Sequence, residues 1–316
     1  MIKNKRKQQI LDILLEDIKL RKVWWFTAWS RTEERFASTS LGSFWLGLSN
    51  LLSISLLSGV YGTVFKVENF NKYVVYLGLG MVLWSSISTS IGSAPNLLIQ
   101  NEIKIKNTNI NILFYPFEEW SFQLHNFIQS FCIVFFALIF FDKSIFINFF
   151  ISILPILNFL IFMFWCPLLI CLLGVRFRDI YQLVPILLQL TFLLSPILYM
   201  KENLGKLIWI VNLNPIYLVI SQLRDSIIEG NINLVALTAL FLFDVNDLFL
   251  DRSGLELLAI LKVSRRLIII FPLETILNIK DIKILKILNN SKIFLKPILN
   301  VVIKLKIVIR ARPDIM

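Results

Sequence analysis

Charge is scarce in this chain. Only 17% of its 316 residues are Asp, Glu, Lys or Arg, against about a quarter in an ordinary soluble domain. Histidine is scarcer still, with His125 alone. Three cysteines, Cys132, Cys166 and Cys171, fall in apolar runs without metal-ligand spacing. They read as small buried hydrophobes, which argues against a disulfide framework or a zinc site. No G-x-x-x-x-G-K-[ST] occurs, so the chain does not bind ATP through a P-loop, and there is no nucleophile elbow.

What is abundant is hydrocarbon. Hydrophobic residues make up 57% of the chain and the mean hydropathy is +0.73. A water-soluble core cannot hide that much apolar surface, so the expected solvent is lipid. The net charge of +11 would suggest nucleic acid in a soluble protein. Here much of it sits at 3–35 and 252–312, which reads as membrane topology and anionic headgroups, with no nucleic-acid partner. No cleavable signal is expected, because charges interrupt the apolar residues up to Arg35.

A helix needs about 20 apolar residues to cross about 30 Å of hydrocarbon. Five runs qualify: 45–65, 73–100, 121–141, 145–174 and 180–200. The fourth is long enough to tilt or to kink at Pro155 or Pro167. The expected fold is therefore an all-α integral membrane protein with five transmembrane helices. It divides into a cytoplasmic N-terminal segment (1–44), a transmembrane domain (45–243) and an atypical tail (244–316). With the N-terminus inside, inner segments before residue 230 hold thirteen Lys and Arg and outer segments six, which favours that orientation.

Before the first span, "QQILDILLEDIKLRKVWWF" places Leu11, Leu14, Leu15 and Ile18 on one helical face, followed by Trp24, Trp25 and Trp29. An amphipathic helix beside tryptophans is expected to lie in the headgroup plane; the alternative is a soluble helix packed on a partner. Trp24, Trp25 and Trp45 suit interfacial anchoring, and secondarily the faces of sugars. In the second span, Ser85, Ser86, Ser88, Thr89, Ser90, Gly92 and Ser93 favour close helix packing over a polar pore lining.

After the fifth span, the apolar part of "KENLGKLIWIVNLNPIYLVISQLRDSIIEG" is too short to cross. Asn214 reads as an N-cap, Pro215 as the first helical residue and Gly230 as the C′ stop. A short helix over 215–229, preceded by a second short apolar piece, is expected to dip into the outer leaflet. Beyond Phe243 the pattern fails. Asp244 and Asp247 interrupt it, each costing about 2.5–3.5 kcal/mol near the bilayer centre, and no sixth span fits.

Glu118, Glu119 and His125 form the one trio that resembles a catalytic set. The plainer reading, preferred here, puts the carboxylates at the interface and His125 against a neighbouring helix. In "GVRFRDIYQ", Asp179 followed by Gln182 resembles a capping box, with Arg176 and Arg178 holding the turn between the fourth and fifth spans. The sharper alternative has the arginines meeting phosphates of a lipid-linked substrate, or a partner protein.

Several stretches in order resemble the membrane subunit of ABC exporters for O-antigen, capsule or teichoic acid. They are "RFASTSLGSFWLGLSNLL", "YLGLGMVLWSSISTSIGSAPNLLIQNE", "VRFRDIYQLVPILLQLTFLLSPILY" and "NPIYLVISQLRDSIIEG". The resemblance covers residues 30–230. It implies a homodimeric permease of six helices per subunit, paired with a separate ATPase that consumes the ATP, and no cofactor or metal on this chain. It also implies a cytoplasmic amphipathic helix and short gate helices after the fifth span. The implied cargo is an undecaprenyl-diphosphate-linked glycan crossing the bacterial inner membrane. Substrate or gate candidates are then Arg176, Arg178, Asp179, Asn214, Pro215 and Arg224. Asn101, Glu102, Lys104 and Lys106 are placed against the ATPase. Ala37, Ser38 and Ser43 depart from the family's more basic, proline-bearing pattern. The change near Phe243 reads as a reading-frame shift or a diverged tail. The rival readings are an export permease for a drug or lipid, and a polytopic membrane transferase.

Overall fold

The computed structural model describes residues 19–232, apart from 109, 202–203, 206–210 and 212–213. The face expected over Leu11–Ile18, the first short apolar piece near 207–210, the sixth span and the tail lie outside the described residues.

Every α-helix that follows is named in chain order. They are α1 (Arg21–Phe36), α2 (Phe44–Val64), α3 (Phe70–Ser93), α4 (Leu97–Gln100), α5 (Glu102–Asn107), α6 (Phe114–Leu138), α7 (Ser144–Ile151), α8 (Ile153–Arg176), α9 (Ile180–Leu194) and α10 (Pro215–Glu229). A 3-10 turn over Ala94–Asn96 joins α3 to α4, as Pro95 requires. Among the described residues there is no strand. Four stretches are long and apolar enough to cross a membrane: Phe44–Val64, Phe70–Gln100, Phe114–Leu138 and Ile153–Arg176. The protein is an all-α, multi-pass membrane protein.

Three expected spans change shape, each for an identifiable reason. The third begins at Phe114, seven residues early, because Arg31 pairs with Glu118 and Glu119 and lets those carboxylates ride inside the helix. The fourth is split at Ser152. Pro155 offers no N–H to the Ile151 carbonyl and its ring crowds that group, so α7 ends there. Pro167 is accommodated within α8. The fifth, expected to reach residue 200, stops at Leu194. Ser195 precedes Pro196 and is extended (φ −87°, ψ 134°), the conformation that a following proline imposes. At 15 residues α9 is about 22 Å long, short of a full crossing.

α3 and α6 form the centre. α3 packs on α2, α6, α8 and α10, and α6 also receives α1 and α2. The core joins Tyr73, Leu77, Leu83 and Ile87 of α3 to Phe127, Phe131 and Val134 of α6 and Phe159 and Met163 of α8. The hydroxyls of Ser85, Ser86, Ser88, Thr89, Ser90 and Ser93 all bond to carbonyls of their own helix, which fits close packing rather than a pore lining. By contrast only 17% of the apolar window of α2 is buried, leaving Leu52, Leu56, Val60 and Val64 exposed along one stripe.

Gly174 marks the closest backbone approach. A Cβ placed there would lie 2.4 Å from the Pro95 carbonyl oxygen, so α8 meets the 3-10 turn without a side chain between them. Gly92, also helical, has only Leu188 Cδ1 at 3.8 Å. Gly174→Ala is therefore expected to destabilise by about 1–3 kcal/mol through overpacking, while Gly92→Ala is neutral or stabilising by up to ~1 kcal/mol. Thermal unfolding in detergent checks the pair, and a Gly174→Ala protein as stable as Gly92→Ala contradicts the contact.

Candidate functional site

Three clusters carry the polar side chains. The first lies at the end of the molecule where α8 gives way to α9. α8 terminates at Arg176, a cation favourable to the negative end of a helix, with its guanidinium 5.7 Å from the Phe177 ring centroid. Asp179 occupies the N-cap of α9 but makes no side-chain cap bond; its φ of −64° and ψ of −22° are helical. The expected capping box is thus not formed, since that bond needs an extended N-cap residue. The Asp179 backbone carbonyl instead accepts from Gln182 and Leu183. α5 stands nearby. Lys106 donates to Glu102 (2.5 Å) and holds its carboxyl below the usual range, with Arg178 adding a smaller pull in the same direction. Glu102, Lys104 and Lys106 are exposed together with Ile103, and Asn101 donates to the Leu97 carbonyl. α5 buries none of its residues.

The second cluster is the N-terminal helix against α6. Trp24 is buried and stacks on Phe117 at 5.7 Å, so it serves as core rather than as an interfacial anchor. Trp25 and Trp29 meet His125 edge-on at 4.3 and 5.3 Å. Trp45 stays exposed. Arg31 donates to Glu119 at 3.0 Å, sits 3.7 Å from Glu118 and lies over the Phe122 ring at 4.2 Å. Gln123 donates to Glu119. Glu119 is taken by Arg31 and Gln123, and neither nitrogen of His125 bonds to it or to Glu118, so the trio is not assembled for proton transfer. A cavity of about 20 Å³ beside Glu119, Gln123 and Pro167 has room for about one water molecule. Among the described residues no group of three His, Cys, Asp or Glu could hold a metal. The three cysteines form no disulfide with one another, and Cys132 is exposed while Cys171 is buried.

The third cluster follows the break at Pro196. Residues 195–198 leave the helix but do not face lipid: Ser195 and Ile197 are buried. The Pro196 carbonyl accepts from Tyr76 Oη (2.9 Å) and from Arg224 Nη1 (3.0 Å), and the Leu198 carbonyl accepts from Tyr73 Oη. Arg224 is 1% exposed. Its guanidinium lies 3.7 Å from the Tyr76 ring centroid, and its Nε pairs with Asp225 at 3.3 Å. Asn214 caps α10 as expected, its Oδ1 accepting from Ile216 and Tyr217 while its Nδ2 donates to Ser195 Oγ at 2.7 Å. Pro215 opens the helix, and Gly230 closes it with φ of 68°. Asn148 of α7 donates to the Ile227 and Ile228 carbonyls at that end.

Sequence reasoning named Asn214, Pro215 and Arg224, and the structure brings them together. Arg178 acts instead on Glu102. Tyr73, Tyr76, Arg31 and Asn148 were missed. The two tyrosines stand three apart on one helical face, which was the available signal. Asn214→Ala is expected to cost about 1–2 kcal/mol and Asp179→Ala under about 0.5 kcal/mol, because Asn214 makes the cap bonds and a bond to Ser195 where Asp179 makes no side-chain cap bond. Denaturant unfolding of both variants checks this, and equal losses contradict it.

Comparison with known proteins agrees with this architecture. The pattern of the ABC-2 type transporter family matches residues 30–228. The "O-antigen export system permease protein RfbA" of Klebsiella pneumoniae is 24% identical over 209 residues, spanning 66% of this chain and 80% of that protein. The family match runs from the middle of α1 to the last turn of α10, so it takes in the first and third clusters and, of the second, Arg31 and α6 but not Trp24, Trp25 or Trp29. The chain belongs to the ABC-2 type transporter family and is a permease, a transport subunit whose ATPase resides on a separate chain.

Proposed function

We propose that this permease exports a lipid-linked cell-surface polysaccharide across the bacterial inner membrane, as a homodimer joined to two copies of its ATPase. The observation that carries the reading is the likeness to a permease named for O-antigen export across four fifths of that protein. A glycan path is assigned to the contact between two subunits. The bare stripe of α2 and the exposed Leu183, Ile186, Leu187, Leu190 and Leu193 of α9 offer apolar faces for a second copy or for lipid.

The N-terminus is placed in the cytoplasm by the excess of Lys and Arg in inner segments. On that side lie α5 and the turn of Arg176, Arg178 and Asp179. Asn101, Glu102, Lys104 and Lys106 are assigned to the ATPase contact, where exposed charges flank the exposed Ile103. Arg176 and Arg178 are assigned to the diphosphate of the entering lipid, since guanidinium groups bond phosphate oxygens in pairs. The segment from Ser195 to Gly230, with Asn214, Pro215 and Arg224, is assigned to the outer gate.

With the ATPase co-expressed, the purified permease is expected to co-elute with it in equal numbers of chains. A folded ATPase that never co-elutes contradicts the reading. Replacing both Arg176 and Arg178 with Gln is expected to lower glycan export about tenfold at equal membrane abundance, the loss of roughly one charge-assisted bond. Unchanged export leaves these arginines as topology anchors only. Export of a drug or a simple lipid instead of a glycan favours the alternative ABC permease.

A further inference from the structure

A buried guanidinium is a costly way to hold a membrane protein together. Its single carboxylate partner, Asp225, has a side chain 49% exposed, and an apolar replacement of similar volume is often no less stable. The geometry around Arg224 points to what the charge does instead. The backbone unwinds at 195–198, freeing carbonyls that neither lipid nor helix can satisfy. Three side chains from two other helices meet them: Tyr73 and Tyr76 from the start of α3, and Arg224 from α10. α3 lies directly against this group at Gly80, where a Cβ would meet Ile197 Cγ2 at 3.4 Å and Arg224 Nη1 at 3.6 Å, ordinary packing distances. The ring of Tyr76 lies under the same guanidinium whose Nη1 shares the Pro196 carbonyl with the Tyr76 hydroxyl. Tyr76, Pro196 and Arg224 thus form a closed triangle joining three segments. Asn214 adds a fourth link, through Ser195.

We infer that Arg224 and Tyr76 are positioning residues that fasten residues 195–198 and α10 to α3, so that the three move as one body. α3 runs on through the 3-10 turn and α4 into α5, and the 25 residues from Tyr76 to Gln100 span about 36 Å. The fastening therefore sits at one end of the second span and the exposed Glu102–Asn107 helix at the other. A push on α5 reaches the segment through one buried span, without passing through α9. This second step rests on the assignment of α5 to the ATPase contact; the fastening itself does not. Arginine is required because one group bonds the carbonyl, pairs with Asp225 and covers an aromatic face at once. The point charge of lysine cannot do all three.

The test compares Arg224→Lys and Tyr76→Phe with the unsubstituted chain. In the permease alone, reconstituted in nanodiscs, hydrogen exchange of the Ser195 and Ile197 amides is expected to quicken at least tenfold in Arg224→Lys. In the complex with the ATPase, Arg224→Lys is expected to lower glycan export at least tenfold at equal membrane abundance, while ATP hydrolysis per complex continues within twofold. Tyr76→Phe keeps the ring under the guanidinium and loses one bond to Pro196, and is expected to show the same split at about threefold. It serves if Arg224→Lys fails to accumulate. Unchanged exchange overturns the fastening. Export within twofold in both variants, or export and hydrolysis falling together in step with abundance, overturns the transmission. An unsubstituted permease that never binds the ATPase overturns the functional reading instead, and the exchange comparison still decides the fastening.

Discussion

Hydrocarbon offers no hydrogen bonds, and the break at Pro196 is where this fold has to meet that condition. A helix satisfies its own backbone, so α2, α3 and α6 need nothing further at their centres. Once Pro196 ends α9, the carbonyls of 196 and 198 lose their helical partners inside the protein. The new partners are the tyrosine pair on α3 and the buried Arg224, and the Asn214–Ser195 bond ties α10 to the same break. α10 is held in the bundle by the same set. Its opposite end is closed by Asn148, which reaches from α7, so the short helix is anchored at both termini by side chains from other elements.

The other proline breaks obey the same condition by different means. At Pro95 the chain tightens into a 3-10 turn, and Gly174 lets α8 close over it with no intervening side chain. At Pro155 the helix restarts after one residue, with Ser152 accepting from Ile156 and donating to Asn148. Charge is handled with equal economy. Arg31 serves both Glu118 and Glu119 and covers Phe122, which ties α1 to the third span. The result is a bundle with a buried second span, an uncovered first span and polar clusters at its ends.

Much of this was legible in the chain because lipid makes hydrophobic length informative. The first span was expected at 45–65 and is found at Phe44–Val64, since nothing but apolar and small residues lies between its ends. Asn214, Pro215 and Gly230 announced a helix because each has one strongly preferred place at a helix end. What was not legible depended on partners far away in sequence. The third span starts seven residues early because Arg31, 88 positions from Glu119, neutralises it. Trp24 looked interfacial by composition and is buried because Phe117 and Trp120 receive it. Asp179 had the right residue type and spacing for a cap, but the turn from Arg176 enters α9 already helical. The fifth span lost its last turn to the Ser195–Pro196 pair, a local signal that the apolar run concealed.

The account stands or falls on whether the unwound segment lies against the second span in the membrane. Cysteines placed at Gly80 and Ile197, in a chain whose Cys132, Cys166 and Cys171 are changed to Ala, report this contact directly. A Cβ at position 80 would lie 3.4 Å from Ile197 Cγ2, so the pair is within reach of mild oxidation or a short bifunctional linker. Near-complete cross-linking in native membranes is the predicted result. A pair that neither oxidation nor the linker joins, in a variant present at the membrane abundance of the unsubstituted chain, contradicts the contact.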